Sequence, residues 1–318
     1  MVDSWDVVAA YRLILGRDPE NCDVVVAHAE QIETLADLRK KFFDSDEFYP
    51  PSRLVAQPLN WPPMNIELNA SPEQLTAMRN HIEENWRLLG ETEPHWSVLS
   101  QENFRTANIE LTKDEFYASG RQFLHQLIVT VRRCGLSPGD ALFDSKTCFE
   151  LGCGVGRCTI FLSEIFENVI AADISPTHLE IARQNLERLN RKNVLLTHFS
   201  SFESLEFLPP IDTFISVIVL QHNPPPLIDA LLSGILRKLN PGGIAYFQVP
   251  TYRLNYNFGI EDYMNAALPL GEIEMHVIPQ YRVFEILHQN GCRLLECRED
   301  AWTGIQDMVS NSFLAIKE

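Results

Sequence analysis

Basic residues are scarce: 26 Lys and Arg stand against 43 Asp and Glu, a formal net charge of −17. A chain this acidic repels phosphate backbones and anionic lipid surfaces, so neither nucleic acid nor a membrane surface is expected as a partner. Basic side chains come close together at places such as Arg39 to Lys41, Arg132-Arg133 and Arg191-Lys192, short groups of the kind that occupy a solvated helix face. No C-x-x-C spacing occurs, and the seven cysteines are odd in number. Cys148, Cys153 and Cys158 stand five apart, which matches no zinc pattern. They read as small buried thiols in a reducing compartment. The start, MVDSWDVVAAYRL, has no basic stretch followed by a long apolar run, so no signal peptide is expected. No segment approaches the ~20 uninterrupted apolar residues of a membrane span. The expected location is cytoplasmic, without membrane insertion.

What is present is a globular composition. The 318 residues are 45% hydrophobic, enough for more than one domain and a sizeable core. Val7, Val8, Tyr11, Ile14 and Leu15 recur at helical spacing, and Gly16 followed by Asp18-Pro19 is a stop and turn. Further helical periodicity covers 24–32 and 35–48. These features predict a small helical module over 1–50. Its YRLILGRDPE and LRKKFFDSDEFY segments resemble a helical domain of unknown function, marked by Y-x-x-x-L-G-R-x-P-D and a terminal F-x-x-S-x-E-F, that occurs in bacterial proteins building or modifying surface glycans. The chain reads NCDVVVAH where that domain usually carries G-x-x-Y-W. The resemblance implies a docking or self-association unit.

Pro50, Pro51, Pro58, Pro62 and Pro63 predict an extended linker over 51–68. Ser71-Pro72 then opens a helix reaching about Leu89, and a second amphipathic helix runs from Lys113 to Cys134. Residues 69–139 form a helical lead-in on this reading. From 140 onward, short apolar strands (147–151, 168–172, 194–198, 214–220, 244–249) alternate with helices (157–166, 176–190, 226–239). Such alternation predicts βαβ units around a parallel sheet. A helix over 278–290 and strands at 293–298 and 312–317 close the chain.

The glycine loop carries the chemistry. Glu150-Leu-Gly152-Cys153-Gly154-Val-Gly156-Arg157 follows a strand and opens a helix, where glycines permit a tight turn and close approach of a ligand. A P-loop needs a following Gly-Lys-Ser/Thr, which is missing. A G-x-G-x-x-G frame ends on Arg157 or Thr159, so that fingerprint fails as well. The segment resembles the first motif of the class I S-adenosylmethionine-dependent methyltransferases. Around it stand AADIS at 171–175, HFSSF at 198–202, residues 217–222 resembling V-L-x-H, and LNPGGIAYF resembling L-x-P-G-G-x-x-x-F.

This resemblance implies a Rossmann-like α/β sheet with an antiparallel C-terminal hairpin over 140–318, preceded by the small all-α domain. It implies S-adenosylmethionine as cofactor, with Asp173 accepting both ribose hydroxyls, Ser201 and Phe202 near the adenine, Ile174 and Leu220 also binding the donor, and Glu150, Gly152, Cys153, Gly154 and Gly156 forming the loop. FYASGR at 116–121 resembles a segment lying over the methionine end, so Tyr117 and Arg121 either grip the carboxylate or pack the helix on the sheet. His222, His276 and Glu274 are the candidate catalytic bases, needed only for a hydroxyl acceptor; His222 alternatively shapes the site. Gln221-His222-Asn223 supplies no carboxylate, so no catalytic metal is expected. The polar aromatics of 250–283 either suit a glycan or other small polar acceptor methylated at oxygen or form a wet loop surface. A non-catalytic donor-binding or accessory protein, or a methyltransferase acting on a protein or another small molecule, is the alternative.

Overall fold

Asp3 opens the first helix with a capping box shared with Asp6. In the computed structural model, which describes residues 2–43, 45, 60–136, 146–199, 201–266 and 268–318, this helix belongs to one of two compact units, Met1–Pro58 and Leu59–Glu318. The first unit contains α1 (Ser4–Ala10), α2 (Cys22–Gln31) and α3 (Leu35–Phe43). α1 runs on through a wider π-helical turn, Tyr11–Leu15, and stops at Gly16 in the left-handed conformation. Val7, Tyr11, Val25, Leu38 and Phe42 are buried together, with Tyr11 edge-on to Phe42 at 4.8 Å. The Arg17 guanidinium lies 4.9 Å above the Tyr11 ring. Tyr, Gly and Arg of the YRLILGR segment thus act together to end the helix and cover its exposed edge.

The second unit contains β1 (Asn65–Ile66), α4 (Pro72–Thr92), α5 (Ile109–Arg133), β2 (Thr147–Leu151), α6 (Thr159–Leu162), β3 (Asn168–Asp173), α7 (Pro176–Arg188), β4 (Val194–His198), β5 (Ile211–Ser216), α8 (Pro225–Leu236), β6 (Leu239–Arg253), β7 (Asn257–Phe258), α9 (Ile260–Asn265), α10 (Gln280–Gln289), β8 (Cys292–Asp300) and β9 (Met308–Lys317). Among the described residues, seven strands form one sheet in the order β4-β3-β2-β5-β6-β9-β8, parallel except for β9, which is antiparallel to both β6 and β8. This is the Rossmann-like sheet with an antiparallel hairpin at its C-terminal end. On one face Phe149, Phe214, Phe247 and Phe313 stack across four adjacent strands, with centroids 5.1 to 6.2 Å apart. The row locks the register of the central strands, because a slip of one residue would turn a ring to the opposite face.

Three expectations change. Residues 60–68 are not a free linker: β1 pairs in parallel with β7, Trp61 stacks on Tyr252 at 5.4 Å, and Ile260 N–H donates to Glu67 at 2.7 Å. Proline excludes a helix there but not an edge strand. Pro50, Pro51 and Pro58, and the expected domain start at 140, lie outside the described residues. The helices of 69–139 are part of the sheet domain, α4 packing Met78 and Ile82 against Leu227 and α5 packing Phe123 and Leu127 onto the glycine-loop side of the sheet. Finally, β5 stops at Ser216 instead of reaching Leu220, because Ile218 turns left-handed (φ 59°) and its N–H is taken by the Gln248 side chain. Among the described residues no helix is long and apolar enough to cross a membrane.

Candidate functional site

At the C-terminal edge of the parallel strands, a cleft encloses about 1020 Å³ of empty space, its open mouth included. Open α/β sheets bind ligands at this edge. The floor is the glycine loop between β2 and α6. Gly152 and Gly154 have φ of 75° and 53°, a backbone region that other residues seldom adopt. A Cβ on Gly154 would stand 2.6 Å from Val98, and one on Gly152 would collide with the Val219 methyls. The loop is stitched to β3: Gly152 and Cys153 N–H donate to the Ala172 carbonyl at 2.7 and 3.0 Å, and Gly154 N–H donates to Asp173 Oδ2 at 2.7 Å.

Asp173 is buried at the end of β3. Its Oδ1 accepts Ser175 N–H at 2.9 Å and faces His178 Nδ1 at 3.4 Å. Burial pushes this carboxyl upward, but the His178 ring and the two backbone donors outweigh it and hold the group below the ordinary carboxylate range. Three contacts leave lone-pair capacity on the two oxygens for ligand hydroxyls. His178 Nε2 in turn lies 3.0 Å from the Ser97 hydroxyl oxygen.

Glu150 and Arg157 line the same cleft from either end of the loop. Glu150 accepts the Thr159 hydroxyl at 2.6 Å, and burial raises its pKa to about 7. Arg157 is buried, donates from Nη1 to Ser119 at 3.2 Å, and has no hydrogen-bond partner for Nε among the described residues. An unused buried guanidinium donor beside a carboxyl suits a ligand with both an anionic and a cationic group. Ile174, Phe199 and Phe202 also line the cleft and give it apolar surface fit for a heterocycle.

His222 lines the cleft on a short 3₁₀ turn after β5, with its ring 5.1 Å from that of Trp86. Its Nδ1–H donates to the Glu274 carbonyl at 2.9 Å, and its Nε2 lies 3.3 Å from the Gln221 amide nitrogen, which fixes the neutral tautomer. Burial pushes its pKa down to about 4, so the ordinary value near 6.5 expected for a base does not hold here.

Of the residues singled out by sequence, the cleft gathers Glu150, Gly152, Cys153, Gly154, Asp173, Ile174, Phe202 and His222. The others stand elsewhere. Gly156 packs on Ala182, Leu220 is core, and Ser201 is half-buried outside the lining. The Tyr117 hydroxyl accepts Asn185 Nδ2 at 2.6 Å, and burial raises its pKa to about 12. Arg121 is 66% exposed, covers Phe161 and faces Glu164 at 3.8 Å. Neither lines the cleft, whereas Ser119 on the same helix reaches Arg157. His276 and Glu274 bond each other at 3.0 Å, with His81 on the second Glu274 oxygen and Tyr256 on the second His276 nitrogen. Burial pushes the Glu274 carboxyl up, but His276, Tyr263 and His81 more than offset it, leaving a committed carboxylate and no free base. Arg79, Ile82, Trp86, Ser97, Val98 and His178 line the cleft without having been singled out. Ile82 and Trp86 fall on the apolar stripe of a helix that the sequence does predict, but nothing in that stripe says which surface it covers.

Residues 149–243 match a family described as a methyltransferase domain. Glycine loop, acid and sheet order agree with that match. Over these residues the larger unit carries a methyltransferase domain. The chain is similar to a cypemycin N-terminal methyltransferase of Streptomyces, 29% identical over 160 residues, covering 46% of this chain and 62% of that protein. It is also similar to the biotin biosynthesis bifunctional protein BioHC of Teredinibacter turnerae, 28% identical over 153 residues, covering 46% of this chain and 26% of that one. The chain therefore spans less than two thirds of these curated relatives. Among solved structures, magnesium protoporphyrin IX methyltransferase of Synechocystis, with bound SAH, superposes with a TM-score of 0.53 at 18% identity, covering 76% of this chain and 100% of that one. That likeness concerns the fold of the methyltransferase domain.

Proposed function

We propose that this protein is an S-adenosylmethionine-dependent methyltransferase acting on a glycan or another small polar acceptor, at oxygen. The observation that carries the donor half is the bond from Gly154 N–H to Asp173 at the edge of the sheet, which joins the glycine cradle to a carboxylate with spare acceptor capacity. On this reading Asp173 holds the ribose hydroxyls, Ile174, Phe199 and Phe202 flank the adenine, and Glu150 and Arg157 face the ammonium and carboxylate of the methionyl end. When bound, the sulfonium supplies an already activated methyl group, so the protein's share is alignment and exclusion of water. Trp86 and His222 close the cleft, with His222 holding a neutral ring against the acceptor side. The glycan preference rests on the N-terminal module and on the polar aromatics of 250–283. The N-terminal module serves as a docking or self-association unit, and the chain works in the cytoplasm without nucleic acid.

A calorimetric titration with S-adenosylmethionine tests the donor half, and a labelled-methyl screen of purified glycans and small-molecule fractions tests the acceptor. No donor binding at millimolar concentration would sink the reading. A second reading, a donor-binding accessory protein without turnover, is favoured by the low basicity of His222 and by the commitment of Glu274 to three partners. Donor binding with no labelled product in any fraction would favour it.

A further inference from the structure

Gln248 stands in β6 between Phe247 and Val249 and is fully buried. A primary amide in such a place is unfavourable unless its hydrogen-bonding capacity is used. Oε1 accepts the Ile218 backbone N–H at 2.9 Å, while Nε2 donates to Gln221 Oε1 at 3.0 Å and to Ser310 Oγ at 2.6 Å. Ile218 has φ of 59°, a region in which a β-branched residue is strained. Such strain persists only where surrounding structure holds it, and it gathers at functional sites. Ile218 and its neighbours Val217 and Val219 line the cleft, and the Val219 methyls fill the space over Gly152. Gln221, the partner of Gln248, donates to His222 Nε2 at 3.3 Å. One amide lying outside the cleft therefore reaches both its strained edge and the turn that carries His222.

We propose that Gln248 is a positioning residue: its buried amide clamps Ile218 in the left-handed conformation and so sets Val219 over the glycine loop and His222 beside the cleft. The proposal rests on the reading of this cleft as the donor site and extends it to a residue that does not line it. The test is a double-mutant cycle of Q248L and I218G, followed by calorimetric affinity for S-adenosylhomocysteine and by hydrogen exchange of the amides of 217–222. Leucine removes the amide at similar volume, and glycine adopts the left-handed region without a clamp. Losing one such buried hydrogen bond corresponds to about tenfold in affinity. Q248L is expected to weaken binding by about that factor and to speed exchange at least as much, while the same substitution in the I218G background changes affinity less than about threefold. Equal losses in both backgrounds, or unaltered exchange in Q248L, would overturn the clamp. If Q248L does not fold, Q248M takes its place in the cycle. If the parent chain binds no S-adenosylhomocysteine, the donor-site reading fails, and the exchange measurement still decides on the clamp.

Discussion

The Gly154 amide donates to the Asp173 carboxylate at 2.7 Å, so the loop after β2 and the acid ending β3 form one hydrogen-bonded unit. The same carboxylate accepts Ser175 N–H, which ties the start of α7 into that unit. A ligand held by Asp173 is thereby held against the glycine loop as well.

Asp173→Ala is expected to weaken S-adenosylmethionine binding by ~10²-fold or more and also to lower stability. Two buried N–H groups lose their acceptor, each worth about 1–3 kcal/mol. Asp173→Asn keeps one acceptor oxygen and is expected to fall between parent and alanine variant in both respects. Calorimetry and thermal melting check the order; equal donor affinity in all three proteins would remove Asp173 from the site.

Glu150 carries a pH dependence of definite sign. Its folded pKa of about 7 lies above the ordinary 4.5, so the folded state favours the protonated carboxyl. The stability this contributes is complete below about pH 4.5 and is lost as pH rises through about 7, at most ~3 kcal/mol. The melting temperature of the parent, measured relative to Glu150→Gln, should therefore decline across that window. Donor affinity should move the other way, rising through pH 7 as Glu150 ionises against the ligand ammonium. A difference between parent and Glu150→Gln that stays flat from pH 5 to 8 contradicts both expectations.

His222 has the opposite sign. Its folded pKa of about 4 lies below the ordinary 6.5, so its contribution to stability is present above pH 6.5 and is lost as pH falls toward 4. A ring this weakly basic and bonded at both nitrogens shapes the cleft. His222→Gln, which still offers an N–H to the Glu274 carbonyl, should keep turnover within about tenfold once an acceptor is known. A fall of ~10²-fold with donor affinity unchanged would restore the base role.

Residues 60–68 set the boundary of the larger unit. A chain beginning at Leu59 should fold, bind donor and melt cooperatively. One beginning at Asn69 loses β1 and the Trp61 contact with Tyr252, and should melt several degrees lower. Indistinguishable melting curves would show that β1 adds nothing to stability.

Much of this protein was legible in order of residues alone. The glycine spacing of ELGCGVGR, the acid at the end of the next strand and the alternation of apolar strands with helices are local patterns, each bounded by a turn or cap that neighbouring residues decide. They determined the sheet, its hairpin and the glycine loop. What the tertiary structure decided is everything that depends on facing. Tyr117 and Arg121 sit in a segment of the expected kind but bond Asn185 and face Glu164, while Arg157 lines the cleft. Trp86 and His178 meet His222 and Asp173 only because α4 and α7 pack over the sheet edge. His222 and Glu274, both plausible bases by residue type, lose basicity for different reasons: burial pushes the His222 ring down, while His276, Tyr263 and His81, the last 193 residues away in the chain, hold the Glu274 carboxyl low. Periodicity tells a residue which neighbours share its face, but desolvation and long-range hydrogen bonds exist only once that face has met another.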